Sequence, residues 1–142
     1  MKNVKATAGY SGTPLASKLG IRPGFRVYVD AAPDGYVKLL EPLPADVVFV
    51  RRPARNLDMI HLFTTEAREL ESKLPKYMQN IIHTGMIWIS WPKKAAKMET
   101  DMTEDVVREV ALPLGLVDTK VCAVDDVWSG LRLVIRVENR KK

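Results

Sequence analysis

Met86-Ile87-Trp88-Ile89-Ser90-Trp91 is the stretch that decides the fold. Side chains in a strand alternate between the two faces of a sheet, and this run is apolar at odd and even positions alike. Both faces must therefore be covered, which is the position of a central strand between two helical layers. Immediately upstream, Ala67, Leu70, Leu74, Tyr77, Met78 and Ile81 recur at steps of three and four after Thr64-Thr65, with Glu66 in the first turn. That spacing predicts an amphipathic helix closed by Gly85 and kinked or split at Pro75. Downstream, Thr103 followed by Glu104 and Asp105 opens a second helix, with Val106, Val107, Val110 and Ala111 on one face, stopped by Pro113 and Gly115.

Working further outward, Phe25-Arg26-Val27-Tyr28-Val29, Val47-Val48-Phe49-Val50 and Met59-Ile60-His61-Leu62-Phe63 read as strands. Thr13 as cap, Pro14 at the first helical position and Gly20 at the end mark a short helix, and Tyr36-Val37-Lys38-Leu39-Leu40 a second one before Pro42 and Pro44. Residues 117–124 and 131–137 form a hairpin-like pair joined by Asp125-Asp126-Val127-Trp128-Ser129-Gly130. Strands alternating with helices predict a three-layer α/β sandwich with a mostly parallel, Rossmann-like central sheet ending in an antiparallel pair. One join is short: residues 51–57 are fewer than a parallel crossover normally uses. Either the link is taut, or the Val47 strand is antiparallel or lies at an edge.

With 142 residues, 46% of them hydrophobic, the chain suits one domain with its own core. Residues 1–142 read as that domain, with 1–24 an arm bearing the short helix and 138–142 a basic tail. The net charge is 22 − 17 = +5. Lys2, Lys5, Arg140, Lys141 and Lys142 supply all of the excess, leaving 17 − 17 = 0 for residues 6–139. A neutral body disfavours nucleic acid as partner. The single cysteine, Cys122, excludes an intrachain disulfide, and no metal-ligand spacing occurs around His61 and His83. No apolar run is long enough for a membrane span, and the start Met1-Lys2-Asn3-Val4-Lys5 has no secretory h-region, so a cytoplasmic location is expected.

The order of elements from Phe25 onward resembles a shortened class I methyltransferase. Leu57-Asp58-Met59-Ile60 is similar to the start of that family's fourth strand, and Thr84-Gly85-Met86-Ile87-Trp88 to the approach to its fifth. Leu114-Gly115-Leu116-Val117 and the terminal pair resemble the sixth and seventh. The resemblance implies a cofactor loop after the first strand, glycine-rich in the family so that backbone can approach S-adenosylmethionine. It also implies an acid after the second strand to hold the ribose. Here those positions read Asp30-Ala31-Ala32-Pro33-Asp34-Gly35 and Arg51-Arg52, and the fourth strand ends in Phe63-Thr64-Thr65 rather than the Asn/Asp-Pro-Pro-Tyr of base-methylating enzymes. The fold resemblance survives these departures and the activity does not. Gly9-Tyr10-Ser11-Gly12-Thr13-Pro14-Leu15 and Ser90-Trp91-Pro92-Lys93-Lys94 also resemble the motifs of a family of small bacterial proteins that brings no activity with it.

Several residues carry candidate chemistry. The glycines before the Thr13 helix offer backbone N–H groups to an anion, or simply form a capped arm. Ser90–Lys94 leaves the central strand at its carboxyl end, where open α/β sheets bind ligands. Lys93, Lys94 and Lys97 suit a phosphate and Trp91 a ring, unless the tryptophan folds onto the core. His61, between Ile60 and Leu62, reads as a core histidine satisfied by Asp58 or Thr64, the nearby polar residues. Asp125 and Asp126 suit acid–base work or a cation, and equally a capped turn with Trp128 folded inward. Arg51, Arg52 and Arg55 read as solvated, and Cys122 as a small hydrophobe.

No nucleophile, base and orienter assemble from these residues, and no cofactor is assigned. The expectation is a non-enzymatic, methyltransferase-like domain binding a small molecule or protein at the strand rim. The alternatives are a divergent transferase using a nucleotide or S-adenosylmethionine, and a nucleic-acid accessory protein. A rim pocket would be lined by Tyr10, Ser11, Asp30, Thr64, Ser90, Trp91 and Lys93.

Overall fold

The computed structural model describes residues 13–140. In chain order the elements are helix α1 (Leu15–Leu19), strand β1 (Arg26–Asp30), helix α2 (Tyr36–Leu39), strands β2 (Val48–Val50) and β3 (Leu57–Phe63), and helix α3 (Ala67–Met78). Then follow strand β4 (Ile81–Pro92), helix α4 (Glu104–Ala111), and strands β5 (Leu116–Ala123) and β6 (Trp128–Ile135). One six-stranded sheet has the order β2-β1-β3-β4-β6-β5. β1 pairs in parallel with β2 and β3, and β3 with β4. β6 runs antiparallel to β4 and β5. This is the expected three-layer sandwich, with β4 central.

The two faces of the sheet hold separate cores. Ile60, Leu62, Ile87, Ile89, Trp91, Leu131 and Leu133 pack with Leu70, Leu74 and Tyr77 of α3 and Val107 and Ala111 of α4. On the opposite face Val27, Met59, Phe63 and Trp88 meet Ala16 and Leu19 of α1 and Tyr36 of α2. The indole Nε1–H of Trp88 donates to the Leu19 carbonyl at 2.8 Å, which pins the end of α1 to the sheet centre. A buried indole needs such a partner, since an unmade bond there costs about 1–3 kcal/mol.

Several local outcomes differ from, or resolve, the sequence expectations. β2 is parallel and lies at the sheet edge, which settles its direction. The short link works because β2 is so short: residues 51–56 need only retrace about 10 Å of strand and cross β1. α3 is continuous through Pro75, with no split. It ends at Met78, so Ile81 opens β4 instead of closing the helix. Gly85 lies inside β4, where pairing jumps from Leu57↔Ile81 to Met59↔Met86. A Cβ at Gly85 would sit 3.0 Å from the carbonyl oxygens of Asp58 and Ile82, so the glycine permits close backbone approach at a bulge. α1 starts one position late, with Pro14 as its N-cap and left-handed Gly20 as its C-cap.

Candidate functional site

β1, β3 and β4 are parallel, so Asp30, Thr64 and Ser90–Lys94 emerge at one carboxyl rim. Their polar groups are largely spent on neighbours. Asp30 Oδ2 accepts from Lys73 Nζ at 2.8 Å and from the Tyr77 hydroxyl at 2.5 Å, both on α3. Lys73 also donates to Glu69 at 2.7 Å. The Thr64 hydroxyl donates to Glu69, and accepts from the Glu66 amide at 3.0 Å. Burial works against charge on Glu69, yet the bonds from Lys73 and Thr64 and the lysine's charge hold its carboxyl below the usual range. Burial likewise opposes charge on Lys73, and its bonds to Asp30 and Glu69 carry it above the usual value. Burial first, then the bond to Asp30, pushes the Tyr77 phenol up. These five side chains close the rim on the α3 side.

Ser90 belongs to a second network. His61 Nδ1 lies 2.8 Å from the Tyr36 hydroxyl, and His61 Nε2 lies 2.8 Å from Ser90 Oγ. All three residues are buried, and His61 and Ser90 have no exposed surface. The imidazole stacks on Phe63 at 4.2 Å. Burial lowers the His61 pKa to about 3, so the ring is neutral, with one nitrogen donating and the other accepting. Burial, and then the Cys122 thiol's charge, raise the Tyr36 phenol. His61 is thus a satisfied core histidine, but its partners are not Asp58 or Thr64. The period of two places residues 58 and 64 on the opposite face from 61. Asp58 instead accepts from the Arg26 amide at 2.8 Å. Ser90 reaches His61 diagonally, because His61 pairs with Trp88 and Phe63 with Ser90. A serine, an imidazole and a phenol in line have the composition of a proton relay, but His61 and Ser90 have no exposed surface, and only Tyr36, itself buried, reaches a cavity at the rim.

Among the other sequence candidates, Trp91 is buried in the α3/α4 core. The Lys93 amide donates to the Val127 carbonyl at 2.7 Å, and Lys94 begins a 3₁₀ turn. Asp125 Oδ1 accepts from the Val127 and Trp128 amides at 2.8 Å, a capped turn, and Trp128 meets Phe63 edge-on at 5.2 Å. Arg51 and Arg52 are exposed. Cys122 is partly buried, and burial raises its thiol pKa against the pull of Lys18, Lys120 and Arg132. Tyr10 and Ser11, with the rest of Gly9–Gly12, lie outside the described residues. Among the described residues no three His, Cys, Asp or Glu side chains are placed to hold a metal ion.

A cavity of about 470 Å³ opens at the same rim, on the α2 side. Val29, Ala32, Pro33, Asp34, Gly35, Tyr36, Val37, Lys38, Phe49 and Val50 line it. The loop after β1 turns through two left-handed residues, Ala31 (φ 62°) and Gly35 (φ 80°). A Cβ at Gly35 would meet nothing within 4 Å, so the backbone there faces open space. Of the sequence-named residues at this rim, Asp30, Thr64, Ser90, Trp91 and Lys93 do not line the cavity. Phe49 and Val37 were not singled out in the sequence, where alternating apolar residues in a short strand and helix signal only packing.

The cavity lies between the two positions that the methyltransferase resemblance assigns to S-adenosylmethionine. Its residues do not fit that cofactor. Arg51 follows β2 where the ribose acid belongs, and the carboxylate of Asp30 is turned to the α3 face and occupied by Lys73 and Tyr77.

No family model and no curated protein sequence matches the chain. Solved structures do match. Magnesium protoporphyrin IX methyltransferase from Synechocystis PCC 6803 with bound SAM superposes with a TM-score of 0.60 at 10% identity, over 85% of this chain and 74% of that one. A SAM-dependent methyltransferase from Aquifex aeolicus gives 0.56 at 14% identity, over 85% and 88%. A possible exported protein from Bordetella parapertussis gives 0.57 at 11% identity; the match covers 84% of this chain and 64% of that protein's length. Among the described residues no helix is long and apolar enough to cross a membrane. The chain has the fold of the class I SAM-dependent methyltransferases.

Proposed function

We propose that the protein is a non-enzymatic binding module of methyltransferase fold, which seats a small, flat, largely apolar molecule in the cavity between the β1 loop, α2 and β2. One observation carries this reading: the rim's catalytic-looking groups are consumed inside the protein while an apolar-lined cavity stays open beside them. Asp30 is tied to Lys73 and Tyr77, Glu69 to Lys73 and Thr64, and His61 and Ser90 are sealed with Tyr36. Pro33, Val37, Phe49 and Val50 offer apolar contact, and Asp34, Lys38 and the Gly35 backbone offer orienting polar groups. A protein partner presenting one apolar side chain to this cavity belongs to the same reading.

A second reading, a transferase using a nucleotide or S-adenosylmethionine in an altered mode, draws on the cavity's location. It requires a new ribose partner, and Asp34 is the carboxylate that lines the cavity.

The test is a two-dimensional amide NMR screen against a library of planar aromatic and heterocyclic compounds, with nucleosides as a separate arm. Binding should shift Gly35, Val37 and Val50 together and leave Lys93 and Val127 still. Shifts centred on Ser90–Lys94 instead would move the site to the β4 end of the rim. No saturable shift in either arm would overturn the small-molecule form of the reading.

A further inference from the structure

We propose that Lys120 and Arg132, together with Lys18 of α1, form a binding site for a phosphate group on the α1 face of the β5–β6 pair. The register sets Lys120 directly opposite Arg132 across that antiparallel pair. Like charges in directly opposed positions destabilise a sheet. Among the described residues no carboxylate pairs with either side chain. The two cations are therefore held together at a cost that an anion between them removes.

The segments that build this face carry no acids. Residues 13–29, 119–124 and 127–137 contain no Asp or Glu, so the neutral balance of the whole body conceals a region of one sign. Pairing with Trp88 puts Arg132 on the sheet face that α1 covers. Asp118, the nearest acid along β5, accepts from Arg108 of α4 at 3.0 Å, on the opposite face. The charges of Lys18, Lys120 and Arg132 all act on the Cys122 thiol, so the three converge on one place.

The donors are already oriented. The Thr119 hydroxyl, at the register shift between Asp118 and Lys120, accepts from Arg132 Nε at 2.9 Å. That leaves the Nη groups for a ligand, and Nη1 lies against the C-cap of α1, 3.1 Å from where a Cβ on Gly20 would be. Lys120 Nζ donates to the Lys18 carbonyl at 2.9 Å, which uses one of an ammonium's three N–H groups. A phosphate monoester brings about 1.5–2 negative charges and three acceptor oxygens. That matches a guanidinium fork beside ammonium groups. β5 lies at the opposite edge of the sheet from β2, so this site is separate from the rim cavity and does not depend on it.

Amide NMR titrations of the full chain with inorganic phosphate and with phenyl phosphate, at constant ionic strength, provide the test. Gly20, Thr119, Lys120 and Arg132 should shift together and saturate, with a dissociation constant of about 1–10 mM. Lys120→Gln and Arg132→Gln should each weaken binding by about tenfold or more, since each removes a charge-assisted bond to the anion. Thermal melts in phosphate-free buffer check that the variants are folded, and Lys120, being exposed, keeps the test open if Arg132→Gln does not fold. Phenyl phosphate binding more tightly than the inorganic ion assigns the site to phosphate esters and the reverse assigns it to the free ion; either supports the site. Shifts that sodium chloride reproduces, or that fail to saturate by about 50 mM phosphate, would overturn the proposal. So would binding that Lys120→Gln leaves unchanged.

Discussion

The Tyr36 hydroxyl sits 2.8 Å from Nδ1 of His61, and Tyr36 also lines the rim cavity, so one side chain joins the open site to a sealed polar chain. Replacing it by phenylalanine keeps the ring and removes the bond. Tyr36→Phe should cost about 1–3 kcal/mol of stability in urea titrations, because a buried imidazole nitrogen loses its partner. Binding of an apolar ligand should persist in this variant. Loss of binding with stability intact would mean that the hydroxyl serves the ligand and not the core.

His61 makes the fold acid-sensitive. Its folded pKa, about 3, is below the ordinary 6.5, so the unfolded chain binds the extra proton between those values. Stability is then fully present above about pH 6.5 and falls with acidification at up to about 1.4 kcal/mol per pH unit down to about pH 3. His61→Leu should start less stable at pH 7 and lose less between pH 7 and pH 5. Equal losses in both chains would contradict the buried neutral imidazole.

The Asp30 cluster contributes in a different window. The Glu69 carboxyl titrates below its usual range, so its share of stability is present above about pH 4.5 and disappears as pH falls through the folded value. Asp30→Ala, which leaves Lys73 and Tyr77 without their shared acceptor, should cost about 1–3 kcal/mol at pH 7. Urea midpoints measured at pH 7 check this, and a change inside about 0.5 kcal/mol would show the cluster to be decorative.

Gly130 lies in β6, directly opposite Ser90 of β4. A Cβ there would lie 3.1 Å from Trp88 Cε3 and 3.3 Å from Ser90 Oγ, so either the indole or the serine must shift. Gly130→Ala should destabilise by about 1–3 kcal/mol, as overpacking does. A matching change in the near-ultraviolet tryptophan signal would locate the strain at Trp88.

Much of the architecture was legible in the chain. Met86–Trp91 announced a strand buried on both sides, and Thr103 before two acids announced α4, where its hydroxyl does accept from the Val106 amide at 3.1 Å. What periodicity could not show was set by contacts distant in sequence. The end of α3 depends on Ile81 entering the sheet beside Leu57, and the direction of β2 on its pairing with β1. The His61 network joins residues 36, 61 and 90 through strand register, so neighbours in sequence pointed to the wrong partners. The cavity was invisible for a similar reason: Val37 and Phe49 look like ordinary packing until α2 and β2 stand on either side of it.

Calorimetric titration with S-adenosylmethionine at pH 7 tests the central claim most directly. A binding module that has lost the cofactor's ribose acid should show no saturable heat, with any dissociation constant above about 100 μM, or weaker than about −5.5 kcal/mol. A dissociation constant below about 100 μM, abolished by Asp34→Asn, would contradict the account and make the cavity a cofactor site.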